Sequence, residues 1–95
     1  MNPVRNSRNS LWYTYVLLSK KDNLLYMGCT NDLNKRINKH NKGEVFSTKN
    51  RLPLKLIYFE VCFNQKDAYA REKYLKSGMG KKYIKNRLKN YFNQI

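Results

Sequence analysis

The chain has 95 residues, 41% of them hydrophobic and 14% aromatic, enough for one buried core but not for a second domain. Its 20 Lys and Arg residues against 6 Asp and Glu residues give a formal charge of +14, which favours a polyanionic partner. Nucleic acid is the first candidate, and ribosome association, an anionic membrane surface or Lys and Asn enrichment from an AT-rich genome are the alternatives.

The apolar stretches are too short for a membrane span. The longest, 11–18 and 54–61, have about half the length that a transmembrane helix requires, and both contain polar residues. No apolar signal-peptide core follows the N-terminal arginines, and Cys29 and Cys62 form no short-spaced pair. We therefore expect a soluble, cytoplasmic protein with reduced thiols and no membrane partner.

The N-terminal segment 1–10 carries Arg-Asn-Ser twice in tandem and no apolar period. Such a segment cannot offset the entropy lost on ordering. We predict a disordered basic tail at 1–10 and one folded domain at 11–95. The tail is either a dispensable extension or a phosphate contact.

Two strands are predicted at 11–18 and 24–29, where β-branched and aromatic residues alternate with others. The polar run between them is short enough to join the strands as an antiparallel hairpin. Strand alternation places Tyr15 with Tyr13 on one face of the first strand, and Tyr26 with Gly28 on one face of the second.

A helix is predicted to follow the hairpin and to run to about Asn41. Thr30, Asn31 and Asp32 offer N-cap side chains, and Gly43 supplies a left-handed residue at the end. A polar loop at 44–53, which carries Lys49 and Arg51, precedes a third strand at 54–61.

Two further helices are predicted in the C-terminal third. Asn64 caps the second predicted helix of the chain and Gly78 ends it. The third predicted helix runs from about Lys81 to Phe92 with Ile84 facing inward. The order β-β-α-β-α-α indicates an α+β domain, a small antiparallel sheet covered by about three helices.

Arg36 and His40 are separated by one helical turn and lie on the same face of the first helix. A guanidinium suits a phosphoryl oxygen, and His40 is the only side chain whose ordinary pKa lies near neutrality. The pair therefore indicates a site that holds a phosphate and moves a proton. The alternative is a basic surface helix that contains one histidine.

Glu72 lies on the stripe of the second helix that also carries Ala68 and Leu75, which should face the sheet. A carboxylate on an apolar face needs an ion pair or a metal ion, because burying an unpaired charge is costly. A single carboxylate with waters and a substrate phosphate is a usual Mg²⁺ site. The alternative is a salt bridge to Arg71, Lys73 or Lys76.

The hairpin tyrosines Tyr13, Tyr15 and Tyr26 are either core residues or site residues, since their hydroxyls need hydrogen-bond partners in both cases. Gly28 leaves room for a sugar-phosphate backbone, or marks only a bulge. The chain has no Gly-rich phosphate loop, zinc spacing, dinucleotide fingerprint or Ser/His/Asp arrangement.

The order and spacing of these residues resemble the GIY-YIG nuclease family, in particular its short stand-alone bacterial members. Tyr13-Thr14-Tyr15 stands where the family has its first motif, and Tyr26-Met27-Gly28 where it has its second. The resemblance covers nearly all of 11–92. The remaining matching segments are Thr30 to Leu33, Arg36, His40-Asn41, Ser47 to Pro53 and Ala70 to Lys76.

The resemblance implies a three-stranded antiparallel sheet and one bound divalent ion, Mg²⁺ or Mn²⁺, on Glu72. Arg36 would neutralise charge on the phosphate, while Tyr15, Tyr26 and His40 would position and deprotonate the attacking water. The residues expected to contact the nucleic acid are Gly28, Lys49, Arg51, Lys81 and Lys82.

The sequence departs from the family pattern at three places. Tyr13 and Thr14 replace the Gly and Ile of the first motif, which carry no chemistry. Cys29 and Thr30 stand where several members have a lysine, so one phosphate contact is expected to be absent. Asn86 is offset from the asparagine that many members place near the last helix.

The first functional hypothesis is a metal-dependent DNA endonuclease of low sequence specificity, with RNA as a second candidate substrate. A targeting partner protein, or a branched or damaged substrate, would supply the specificity that a lone domain lacks; DNA repair is one compatible pathway. The second hypothesis is a non-catalytic nucleic-acid-binding module, and the third a ribosome- or membrane-associated basic protein. The third predicts no metal dependence and no requirement for Glu72, and the second would not need Tyr15, Tyr26, Arg36, His40 and Glu72 together.

Overall fold

The computed structural model describes residues 11–94. The tail predicted at 1–10 therefore lies outside the described residues, as does position 95. Within the described range the chain forms one sheet and a set of helices in the order β-β-α-β-α-α, with a further short helix at the end. The predicted α+β fold is confirmed.

The sheet has three antiparallel strands: β1 (Trp12–Ser19), β2 (Leu25–Thr30) and β3 (Leu54–Cys62). Their spatial order is β2-β1-β3, so β1 is the central strand. The predicted hairpin is confirmed, and its register places Tyr15 opposite Gly28. The pairing of β1 with β3 is irregular between Val16 and Leu17.

The first two helices begin at the predicted caps. In α1 (Leu33–Asn41), the Asp32 side chain accepts a hydrogen bond from the Lys35 amide, and Gly43 beyond its end has φ 75°. In α2 (Gln65–Lys76), the Asn64 side chain accepts from the Lys66 and Asp67 amides. These side chains satisfy amides that have no partner within the helix.

The C-terminal helices differ from the prediction. Gly78 does not end α2; it is the first residue of α3 (Gly78–Arg87), and a short α4 (Lys89–Asn93) follows after a break at Leu88. The predictions of a helix end at Gly78 and of one helix from Lys81 to Phe92 were wrong. The boundary between α2 and α3 lies at Ser77, one residue before the predicted Gly78, because Ser77 is extended. The Ser77 hydroxyl caps α3 by accepting a hydrogen bond from the Gly80 amide.

Side chains of β1 are buried on both faces of the sheet. On the α1 side, Tyr15 and Leu17 pack with Leu54, and on the side of α2 and α3, Val16 packs with Met27, Leu75 and Ile84. Burying a side chain such as Leu75 stabilises the fold by roughly 1.5–3 kcal/mol.

Among residues 11–94, none of the helices combines the length and the apolar character needed to cross a membrane.

Gly80 lies directly against α2, where a Cβ would overlap backbone atoms of Tyr74 and Leu75, whereas a Cβ on Gly78 would meet no atom within 4 Å. We expect Gly80→Ala to lower the free energy of unfolding by about 2–3 kcal/mol, since packed backbone cannot move aside cheaply. Gly78→Ala should change it by less than about 1 kcal/mol. Urea denaturation of both variants measures the difference, and equal midpoints would contradict this packing.

Candidate active site

Three buried side chains form a hydrogen-bonded chain between the sheet, α1 and the following loop. The Tyr15 hydroxyl lies 2.8 Å from His40 Nε2, and His40 Nδ1 lies 2.8 Å from Thr48 Oγ1. Thr48 Oγ1 is also 3.5 Å from the Val45 carbonyl oxygen. In the direction consistent with all three contacts, Thr48 donates to Val45, His40 Nδ1 donates to Thr48, and Tyr15 donates to His40 Nε2.

Burial determines which of the hydrogen-bonded side chains carry a proton. Desolvation lowers the pKa of His40 to about 4, and the positive charge of Arg36 acts in the same direction. Desolvation also raises the pKa of the Tyr15 hydroxyl to about 12. Near neutral pH, His40 therefore carries no charge and Tyr15 keeps its proton.

Gly28 makes this position of Tyr15 possible. The two residues are opposite each other in the register of β1 and β2, and a Cβ on Gly28 would overlap the Tyr15 ring and hydroxyl. The room that Gly28 leaves is thus filled by the phenol. A contact between the Gly28 backbone and DNA stays a prediction.

Arg36 extends from α1 to the two tyrosines of the hairpin. Its interaction with the Tyr15 hydroxyl, together with that of Tyr26, raises the pKa of the guanidinium above its ordinary value. Its Nε is buried and has no hydrogen-bond partner among the described residues. An unsatisfied buried donor costs about 1–3 kcal/mol, so this nitrogen would gain a hydrogen bond if the side chain turned to expose it to an anionic ligand oxygen.

Tyr26 is the member of the group that reaches the surface. Its ring is half-buried and packs edge-on against His40, with ring centroids 5.1 Å apart. Its hydroxyl accepts a hydrogen bond from Ser47 Oγ at 3.4 Å. Because Tyr15 and His40 are fully buried, Tyr26 is the aromatic group of the three that can contact solvent directly.

Glu72 lies on α2 with its side chain 19% exposed and its Oε2 2.8 Å from Lys76 Nζ. Of the three salt-bridge partners considered from the sequence, Lys76 is the observed one. Burial is the main cause that raises the pKa of the Cys29 thiol to about 11, and the negative charge of Glu72 is the second cause. The same charge contributes to the raised pKa of the Tyr15 hydroxyl. The charge of this carboxylate therefore acts on both strands of the hairpin, at Cys29 and at Tyr15.

Arg71, the neighbour of Glu72 on α2, was considered in the sequence only as a partner of that carboxylate. Its Nε and Nη2 each lie 2.9 Å from a carboxylate oxygen of Glu60 on β3. Its guanidinium carbon Cζ also lies 5.3 Å from the ring centroid of Tyr74 and 4.9 Å from that of Tyr83. The pairing of Arg71 with Glu60 joins α2 to β3, and no local motif in the sequence indicated it.

The predicted DNA contacts fall into two groups. Arg51 is held within the fold, since its Nε lies 2.8 Å from Asp22 Oδ2 and its Nη2 donates to the Leu24 carbonyl at 3.1 Å. Lys49, Lys81 and Lys82 are exposed. The lysines are free to meet a phosphate backbone, and a DNA contact of Arg51 would compete with its place at the hairpin turn. All four contacts stay predictions.

The buried neutral state of His40 predicts a specific pH dependence of stability. The folded pKa of about 4 is lower than the ordinary value of 6.5, so the unfolded chain binds the proton more tightly. We expect stability to be complete above pH 6.5 and to fall by about 3 kcal/mol between pH 6.5 and 4 through this group.

Denaturation midpoints of the wild type and His40→Gln across this pH range measure that component, because carboxylate effects are common to both proteins. The chain has a single histidine, so an NMR titration of its imidazole gives the folded pKa directly. Parallel loss of stability in the two proteins would contradict a neutral buried His40.

Comparison with known proteins assigns the family. A model described as the GIY-YIG catalytic domain matches residues 11–83. A UPF0213 protein of Clostridium perfringens is 48% identical over 65 residues, which cover 67% of this chain and 69% of the relative. A UPF0213 protein of Pediococcus pentosaceus is 44% identical over 80 residues, which cover 83% of this chain and 83% of the relative. The UPF0213 protein YazA of Bacillus subtilis is 39% identical over 69 residues, which cover 72% of this chain and 70% of the relative. No solved structure matches. The chain belongs to the GIY-YIG family, as its motifs predicted.

Proposed function

We propose that this chain is a metal-dependent endonuclease that hydrolyses DNA phosphodiester bonds with low sequence specificity. The family is one of nucleases. The observation that carries the proposal is the buried, unpartnered Nε of Arg36, beside Tyr15 and Tyr26, with the charge of the Glu72 carboxylate acting on the same Tyr15 hydroxyl. Such a group has a donor for a phosphate, a surface hydroxyl for a water and an anionic group for a cation.

The residues present fit one divalent cation, Mg²⁺ or Mn²⁺, on Glu72. The carboxylate is partly buried and already has a cation, the Lys76 ammonium, 2.8 Å away. No three His, Cys, Asp or Glu side chains cluster anywhere in residues 11–94, so the protein would provide one ligand, and waters and phosphate oxygens the others. Bound there, the ion would supply positive charge that polarises the phosphate and stabilises the leaving 3′ oxygen.

Arg36 binds the scissile phosphate in this proposal. A phosphate oxygen would satisfy the Nε that has no partner within the fold, and the charge on that oxygen increases as the water attacks. The guanidinium therefore binds the transition state more strongly than the ground state. Tyr15 and Tyr26 hold it in place through their hydroxyls.

The tyrosines and the histidine have different roles. Tyr26, which reaches solvent, orients the attacking water, while the fully buried Tyr15 and His40 are positioning residues. Tyr15 orients Arg36 through its hydroxyl, and the edge contact of His40 fixes the ring of Tyr26. The low pKa of His40 keeps a second positive charge away from Arg36.

DNA is held through its backbone. The exposed Lys49, Lys81 and Lys82, with the overall charge of +14, would contact phosphates whatever the sequence, so affinity should fall steeply with salt. Specificity would come from the shape of the substrate or from a partner protein.

The alternative function is a nucleic-acid-binding module without catalysis. The observation in its favour is the Glu72–Lys76 ion pair, since a carboxylate with a partner of its own needs no metal. It predicts that nicking of plasmid DNA is absent and that Glu72 is dispensable.

Glu72→Gln separates the two functions. We expect nicking of supercoiled plasmid in Mg²⁺ or Mn²⁺ to fall on the order of 10²- to 10³-fold, because the amide cannot hold a divalent ion. Affinity for the same DNA in EDTA should stay close to that of the wild type. Glu44→Gln, an exposed glutamate in the loop after α1, is the control and should cut normally. Equal nicking by both variants would exclude Glu72 as the ligand.

Lys76 competes with a cation for Glu72. Lys76→Met should tighten Mn²⁺ binding by roughly 5-fold, since breaking a partly exposed ion pair costs up to about 1 kcal/mol. Titration calorimetry with Mn²⁺ and without DNA measures this directly, and Lys73→Met on the same helix is the control. Unchanged Mn²⁺ affinity in Lys76→Met would show that the metal binds elsewhere.

A further inference from the structure

Phe46 is 84% exposed, more than any other large hydrophobic side chain in the described part of the chain. It lies in the loop between α1 and β3. A single exposed apolar residue is common on protein surfaces and needs no explanation by itself. Phe46, however, lies in the loop that is hydrogen-bonded to the candidate active site, and this position calls for an explanation.

The loop around Phe46 is bound to the site on both sides. Val45 is buried, and its carbonyl accepts from the Thr48 amide at 3.0 Å. Ser47 donates to the hydroxyl of Tyr26, and Thr48 is hydrogen-bonded to His40. Phe46 is therefore exposed directly before the serine that is hydrogen-bonded to the surface tyrosine of the site.

A cation accompanies the ring. Lys49 Nζ lies 4.8 Å from the centroid of the Phe46 ring, within the range of a cation–π contact. An exposed aromatic face next to a lysine is the combination with which proteins bind single-stranded nucleic acid: the base stacks on the ring and the cation meets the backbone. A base inside a paired duplex has no free face to offer.

We propose that Phe46 is a stacking platform for an unpaired base of the DNA strand, next to the scissile phosphate, with Lys49 on the backbone of that strand. The substrate class is then DNA with unpaired bases near the cut, such as a bulge, a flap or a branch. The position of the cut rests on the proposed nuclease function, whereas the stacking does not.

The probe is a short duplex with one unpaired 2-aminopurine, compared with the fully paired duplex of the same sequence, both in EDTA so that nothing is cut. We expect Phe46→Ala to weaken binding of the bulged duplex by roughly 5- to 150-fold, the equivalent of about 1–3 kcal/mol per stacked base. Binding of the paired duplex should hardly change. The change in 2-aminopurine fluorescence that marks stacking should occur with the wild type and be lost in Phe46→Ala.

Phe63→Ala is the matched control, since Phe63 is also a phenylalanine, is 70% exposed and lies in the separate turn between β3 and α2. It should keep both the affinity and the fluorescence response. Phe46→Trp should keep them too, because the larger ring still offers a face.

Equal binding of the bulged duplex by Phe46→Ala and the wild type would overturn the proposal, as would an equal loss on the paired duplex. Because these measurements need no cleavage, a wild type that stacks the base but never nicks DNA in Mg²⁺ or Mn²⁺ would support the platform and refute the nuclease. A nuclease that cuts normally with Phe46→Ala, without a fluorescence response in the wild type, would refute the platform alone.

Discussion

The buried hydrogen bond between Tyr15 and His40 is the contact on which the rest of the site depends. It joins the central strand to α1, and through Thr48 it also holds the loop that follows that helix. A polar pair at full burial must be satisfied internally, since an unpaired hydroxyl or imidazole there would cost more than the bond contributes. The fold meets this requirement by placing a glycine, Gly28, opposite the tyrosine.

The same contact orders the surface around it. With His40 fixed, Tyr26 packs against its edge and reaches solvent, and with Tyr15 fixed, the guanidinium of Arg36 lies beside both hydroxyls. The loop bound to His40 and Tyr26 also determines where Phe46 is displayed. The proposed phosphate, water and base contacts are therefore consequences of one buried polar chain.

Glu72 comes from α2, a helix that packs on the other core of the sheet, and its charge acts on the Tyr15 hydroxyl. The pairing of Arg71 with Glu60 joins the same helix to β3. A chain of charge +14 has few carboxylates, and two of them, Glu60 and Asp22, are used to hold arginines within the fold. Glu72 is paired with Lys76, another residue of α2, rather than with an arginine.

The sequence by itself determined the three strands, the first two helices, the order of the elements, the cap at Asn64 and the family, because periodicity, capping chemistry and motif spacing are local properties. It also selected Tyr15, Tyr26, Arg36 and His40, which the fold brings together; their roles, and that of Glu72, stay predictions. Only the tertiary structure decided that His40 is buried, that Arg51 is held by Asp22, that Arg71 pairs with Glu60, and that Ser77 rather than Gly78 divides the C-terminal helices. Burial and ion-pair choice depend on which distant segments meet, and spacing along the chain carries no information about the competition among neighbouring charges.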